Sequence, residues 1–292
     1  MTLTRYTLDD DWREHLVQHE RRAAALTDDQ LKRRKAGLKH PVWDFLYEYY
    51  PIRIAHLQRW HPGVGVAIAD DGTSAQAGWK WYVTENGVTF ADVAAFMEAK
   101  QQTVDFIEQL LRATTTNPTH FDCFGLHEWA MVYATDDIRH DLPLRLGAQA
   151  TDKVVEDHQI KCTHFDAFRF FTPAARSLNF TVLERSDQVR FDQQGCLHAN
   201  MDLYKWATKL GPLVPGSLWL DTFALAKDVR VLDMEASPYD CRDYGFGVVA
   251  IETPTGKQEY VARQRALAAR ANKLRTALLS VIATARVISG IS

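Results

Sequence analysis

Three short runs in the middle third of the chain concentrate the residues that do chemistry. Six of the eleven histidines and three of the four cysteines lie in residues 120–198, and each of those cysteines has a histidine close behind it: Cys123 with His127, Cys162 with His164, Cys196 with His198. Each run adds a carboxylate and aromatic rings. The first reads His127-Glu-Trp129 and on to Tyr133, the second His164-Phe-Asp166 with Phe168 and Arg169, the third His198 followed by Asp202, Tyr204, Lys205 and Trp206. Burying such a mixture is costly unless the groups find partners or a task. Imidazole beside carboxylate is the composition of an acid/base site, and imidazole, thiol and carboxylate together are donors for a transition metal.

Spacing sharpens this. A helix beginning near His198 places His198, Asp202 and Trp206 on one face, with Lys205 close enough to pair with Asp202. Its ordinary reading is a helix ion pair beside a half-buried histidine and a core tryptophan. On an extended segment His164 and Asp166 share a face with Phe168, while Arg169 points the other way, toward a partner carboxylate or a phosphate. The surrounding phenylalanines make a buried His-Asp pair with a perturbed charge state the expectation there. A core histidine bonded to its neighbour is the plainer account. His127-Glu128 begins like a zincin motif, but residue 131 is Met and not His, so a metalloprotease is excluded. A metal site, for zinc or iron, would be assembled from His127, His164, His198, Asp166 and Asp202, with Glu128 and the thiols nearby. None of these has the Cys-x2-Cys or His-x3-His spacing of a structural zinc site.

Other motifs carry nothing. Trp60-His-Pro-Gly-Val-Gly has the glycine turn of a helix-hairpin-helix, but an apolar run that reads as strand follows it. There is no Gly-x-Ser-x-Gly, Walker loop or Rossmann glycine fingerprint.

The elements that must position these runs read as mostly helical. Hydrophobic content of 46% with 24% charged residues excludes a disordered or collagenous chain. A charged helical stretch covers residues 8–37, with a helix start near Thr27 capped by Asp28 or Asp29. Pro51 breaks the next segment into two short helices. Residues 65–90 change to strand-like runs, with Asn86-Gly87 marking a hairpin within residues 79–90. Helical spacing returns over 91–112, 198–210, after Pro215 and over 257–287, and 141–147 reads as a connecting loop. The expectation is mainly α, one helix-dominated domain over residues 1–292 with a minor β-hairpin, its His/Cys-rich core at about 118–210. No leader pattern and no apolar run of about 20 residues is present, so a cytoplasmic protein with reduced cysteines and no membrane partner is expected. The net charge of −3 gives no global basic footprint. The basic stretches, Lys32-Arg33-Arg34-Lys35 and the arginines and lysines of the last helix, read as solvated faces.

Long strings in this sequence resemble a family of actinobacterial-type proteins that carry the name 3-methyladenine DNA glycosylase. They are Trp43-Asp-Phe-Leu-Tyr, Arg59-Trp-His-Pro-Gly, His120-Phe-Asp-Cys-Phe-Gly-Leu-His-Glu-Trp-Ala-Met-Val-Tyr, His164-Phe-Asp-Ala-Phe-Arg-Phe-Phe-Thr-Pro, Cys196-Leu-His, Met201-Asp-Leu-Tyr-Lys-Trp and Ala236-Ser-Pro-Tyr-Asp. The resemblance spans nearly the whole chain and implies an N-glycosidase that releases a modified purine from a nucleoside or damaged DNA. The better understood glycosylases of that name have a helix-hairpin-helix with a catalytic Asp, or a Cys/His zinc clip; this chain has neither, so no residue role is carried over. From the residues themselves, Asp202 or Asp166, with Lys205, would stabilise an oxocarbenium ion, and His164 or His198 would act on the leaving base. Trp206, Trp129, Tyr133 and Tyr204 would stack it, and Arg169 would also contact the substrate. Undamaged duplex is expected to bind weakly. The competing expectations are a zinc- or iron-dependent hydrolase or oxygenase built on the His/Asp cluster, and a non-catalytic protein that holds a flat small molecule.

Overall fold

A computed structural model describes residues 6–50, 52–138 and 142–291. In chain order its strands are β1 (Thr7–Asp9), β2 (Val66–Ala69), β3 (Tyr82–Glu85) and β4 (Val88–Ala91). Its helices are α1 (Trp12–Lys35), α2 (Phe45–Glu48), α3 (Ile54–Leu57), α4 (Val93–Thr116), α5 (Leu126–Ala130), α6 (Ala148–Glu156), α7 (Phe165–Phe168), α8 (Gln188–Phe191), α9 (Leu197–Met201), α10 (Leu203–Lys209), α11 (Gly216–Glu235) and α12 (Pro254–Ser289). The chain is a helix-dominated globular domain, as its periodicities predict.

The hairpin forms where Asn86-Gly87 places it: both residues have positive φ, 52° and 77°, and Glu85 pairs with Val88 across the turn. The sheet is larger than a hairpin. Its order is β1-β2-β4-β3, with β2 antiparallel to β4 and β1 parallel to β2. β1 is three residues long and mostly exposed, too short for an alternating pattern to show. The helix start expected near Thr27 is absent because α1 runs through it. There the Thr27 hydroxyl donates to the carbonyl of Ala23 one turn back, at 2.7 Å, instead of capping a new helix. Pro51 and Asp141, both assigned to breaks, lie outside the described residues, and α2 and α3 flank the first as expected.

The core forms around α11, whose residues Trp219, Leu220, Phe223, Leu225, Ala226, Val229, Leu232 and Met234 are all buried. Most of α11 is buried because α1, α9, α10 and α12 pack around it, leaving Ser217, Asp221, Asp228 and Glu235 on its outer face. α12 also packs along α4. Some of its basic residues are neutralised by other helices: Arg263 pairs with Glu235, Arg270 with Asp228, and Arg286 with Asp105 and Glu108. Arg275, expected on a wet face, is 1% exposed and bonded to Asn200 and Asn272. No helix among the described residues is long and apolar enough to cross a membrane.

Candidate functional site

Two glycines and a break in a helix bring the three runs together. Gly125, at the N-cap of α5, has φ 70°, and Phe124 before it has φ 49°. This left-handed pair turns the chain so that His127 and Glu128 enter the interior, where both are buried. At Gly195 a Cβ would lie 2.0 Å from the carbonyl oxygen of His120, so only glycine lets the third run close against the first. Gln193 clamps the junction, its Oε1 accepting from the backbone N–H groups of His120 and Gly195. α9 ends and α10 begins at Asp202. The N–H of Asp202 still donates to the carbonyl of His198, and that of Trp206 to Asp202, so the expected face survives the break.

The second run differs from its expected form. Residues 165–168 are the helical turn α7, with His164 as its N-cap, so His164 and Asp166 do not share the face of a strand. The same turn brings Arg169 back onto Asp166, Nε to Oδ1 3.4 Å, where an extended segment would have sent it away. Lys205 Nζ bridges Asp166 Oδ2 at 3.2 Å and Asp202 Oδ2 at 3.1 Å. Asp202 also accepts from the Tyr50 hydroxyl at 2.8 Å, and Asp166 from Arg185 at 3.3 Å. His164 donates from Nδ1 to Asp192 at 2.9 Å. Its buried Nε2 has no hydrogen-bond partner among the described residues and faces Asp202 Oδ2 at 3.8 Å.

A parallel group surrounds Asp233 on α11. His127 Nε2 donates to Asp233 Oδ1 at 2.8 Å, and Arg230 Nη1 lies 2.8 Å from Asp233 Oδ2 and 3.4 Å from Glu128 Oε1. His198 links the two groups: its Nε2 is 4.0 Å from Asp233 Oδ2, its ring is edge-on to His127 with centroids 4.4 Å apart, and it stacks on His164 at 5.7 Å. The donor atoms of His127, Glu128, His198 and Asp233 all lie within 4.8 Å of one another, as do those of His164, Asp166 and Asp202.

Charge states follow from these partners. Burial opposes a charged His164, but Asp192, Asp202 and Asp166 outweigh it and hold its pKa above the ordinary value. Burial, His127 beside it and the nearby cations push His198 well below that value, with Asp233 too distant to compensate. Burial opposes ionisation of Asp166 and Asp233. Lys205, His164 and Arg185 keep the first carboxyl below its usual range, and the two histidines and Arg230 keep the second below it. The thiols stand apart. Burial pushes Cys162 up to about 12, and its S–H points at the His164 carbonyl, so it is a protonated packing group and not a ligand.

One narrow crevice, with a cavity volume of about 20 Å³, reaches the network. Phe45, Tyr49, Met131 and Phe170 line it, and its polar groups are Glu128, Asp166, His198 and Arg230. Phe45 and Tyr49 stack at 5.0 Å, and the Arg230 guanidinium lies 4.3 Å from the Phe45 ring centre. Of the rings expected to stack a substrate, Trp129 and Tyr204 are fully buried and serve the core. Trp129 Nε1 donates to the carbonyl of Ala236, and Tyr204 packs on Tyr50 and Phe223. Both rings are too far inside the hydrophobic packing to present a face. Tyr133 turns to Glu156, outside the crevice. Trp206 lines a neighbouring groove against Phe106. Asp202 and Lys205 stand behind Asp166, while His164 stands behind His198.

Sequence reasoning missed Tyr50, Asp192, Arg230 and Asp233. A signal existed for the last two: Arg230 and Asp233 are a charged pair three residues apart that helical spacing places off the face carrying Ser217, Asp221, Asp228 and Glu235, on the apolar side of the helix. Comparison of the chain with protein-family models, with characterised proteins and with solved structures gives no match.

Proposed function

We propose that this protein is an N-glycosidase that binds a small, flat, modified purine nucleoside at the mouth of the crevice and hydrolyses the bond between base and sugar. The observation that carries this reading is the opening of a buried carboxylate and histidine network onto a single narrow aromatic crevice, with Asp166, Glu128 and His198 at its polar side. At about 20 Å³ the crevice holds a water and not a base, so the purine stacks at its mouth while the water sits inside. As the bond breaks, the electron pair leaves with the base, and an alkylated base departs neutral without needing an acid. Asp166, kept ionised by Lys205 and Arg185, faces the positive charge that develops on the sugar. His198, held neutral by its surroundings, accepts the proton of the water whose oxygen bonds to the anomeric carbon. Phe45, Tyr49 and Phe170 take the stacking role expected of Trp129 and Tyr204. Asp202, Lys205 and Tyr50 position Asp166.

Release of free base from 7-methylguanosine and from alkylated DNA, by wild type and by Asp166→Asn, tests this. Release by the wild type that the substitution removes supports the reading. No release from either substrate overturns it.

A second reading is a zinc or iron centre held by His127, Glu128, His198 and Asp233. Their mutual reach of 4.8 Å and their nitrogen and oxygen chemistry favour it. Against it, Arg230 already places a cation between Glu128 and Asp233. Stoichiometric metal in the purified protein, lost in His127→Ala, would establish this centre.

A further inference from the structure

Beside the crevice, and joined to it through Asp166, lies an open groove of about 410 Å³ between α4, α10 and the 185–188 turn. Arg185, Lys205 and Lys209 line it together with Gln188, Phe106 and Trp206, and none of its lining residues is acidic. Arg185 and Lys209 are exposed, and Phe106 is 38% exposed, its ring edge-on to Trp206 at 5.9 Å.

We infer that this groove receives the phosphate of a nucleoside monophosphate whose base and sugar lie at the mouth of the crevice; the inference rests on the N-glycosidase reading above. Lys205 is held by Asp166 and Asp202, and Arg185 touches Asp166 from one side, so Lys209 and the outer face of Arg185 supply the positive potential of the groove. Asp166 is also met by more cations than one carboxylate neutralises: Lys205, Arg185 and Arg169 all approach it. Lys205 is committed to two carboxylates at about equal distance. Arg185 makes one contact of 3.3 Å from a side chain that is 68% exposed, and its guanidinium lies 5.2 Å from the Phe165 ring centre. A planar fork so placed suits bidentate binding of a phosphate. Because Arg185 and Lys205 both line the groove and touch a crevice-lining carboxylate, a phosphate bound by them is within one residue's width of the sugar. The exposed Phe106 beside Trp206 gives the groove an apolar floor that a wholly solvated basic patch would lack.

The test is equilibrium binding of 7-methylguanosine, its 5′-monophosphate and inorganic phosphate to the full chain at about 50 mM salt, where exposed charges are weakly screened. The monophosphate is expected to bind about tenfold more tightly than the nucleoside, with the gap closing at about 0.5 M salt. Lys209→Gln should narrow the gap by about threefold without changing nucleoside affinity, and Arg185→Gln should narrow it further. Equal affinities, a gap that survives both substitutions, or no binding of either at millimolar concentration overturns the inference. An alkylated trinucleotide that binds no better than the monophosphate assigns the phosphate to a free nucleotide, and one that binds far better overturns that source. A phosphate preference without base release overturns the glycosidase reading and leaves the groove. Base release without a phosphate preference does the opposite.

Discussion

Around Asp202, two carboxylates are bridged by Lys205, three residues further along; around Asp233, two carboxylates are approached by Arg230, three residues earlier. Each group contains a histidine bonded to a carboxylate through one ring nitrogen, His164 to Asp192 and His127 to Asp233. They differ in what stands next. His164 faces a second carboxylate, Asp202 at 3.8 Å, whereas His198 faces another imidazole and an Asp233 whose oxygens are already taken by His127 and Arg230. Two imidazoles stacked 5.7 Å apart are thereby pushed in opposite directions, one toward the cation and the other toward the neutral form. Environments that separate titrations in this way assign acid and base roles more firmly than residue type does. Only the neutral ring, His198, lines the crevice.

The largest expected effect tests that asymmetry directly. His198→Gln should lower base release by a factor on the order of 10²–10⁴, the usual worth of a general base. His164→Gln touches no substrate and should cost less while shifting the pH profile of the reaction, because it alters the charge beside Asp166 and Asp202. Equal losses with unshifted profiles in both variants would mean that the two rings act as one structural unit.

Stability should separate the two groups next. Asp233 is fully buried, and Asp233→Ala strands the buried Arg230, so a loss of about 3–5 kcal/mol in urea unfolding is expected. Asp166→Ala leaves Arg185 and Arg169 near solvent and Lys205 still paired with Asp202, so roughly 1–2 kcal/mol is expected there. A reversal of that order would show that the Asp166 group, and not the Asp233 group, is the structural one.

A smaller effect lies in the pH dependence of stability. The pKa of His164 is raised above 6.5 in the fold, so its contribution is complete below that value and is lost as pH rises through the folded pKa. The pKa of His198 is depressed, so its contribution is present above 6.5 and is lost as pH falls through that value toward the folded pKa. Melting temperatures from about pH 5 to pH 9 should therefore flatten on the alkaline side in His164→Gln and on the acid side in His198→Gln. Both variants flattening the same limb would refute the opposed charge states.

The comparison also shows how far the sequence could lead. The His127, His164 and His198 runs stand out because histidines, cysteines and rings crowd one stretch, and in the fold the histidines of all three meet. Helical periodicity located α4, α11 and α12, since each presents a long apolar face to the core. What sequence spacing could not give is the far wall. Phe45, Tyr49 and Arg230 reach the crevice through tertiary packing from positions well outside all three runs. Local geometry misled at 164–169, where aromatic density reads as strand but one turn of helix is what lets Asp166, Arg169 and Lys205 meet. Ring type misled as well: large aromatics beside histidines are as well suited to filling a core as to stacking a ligand, and Trp129 and Tyr204 do the former.

The smallest effect belongs to Tyr133, which has a ring of the right kind in the right run but faces away from both groups. Its hydroxyl reaches Glu156 at 3.3 Å in an exposed contact, and it lines neither the crevice nor the groove. Tyr133→Phe removes only that hydroxyl, so unfolding free energy should move by less than about 0.5 kcal/mol, as for other surface changes remote from a site. Base release and nucleotide affinity should stay at wild-type values. The crevice then ends where its lining residues place it, at Met131 on this run, and a substantial loss of affinity in Tyr133→Phe would require the ligand to extend past Met131 toward α6, beyond any contact with His198.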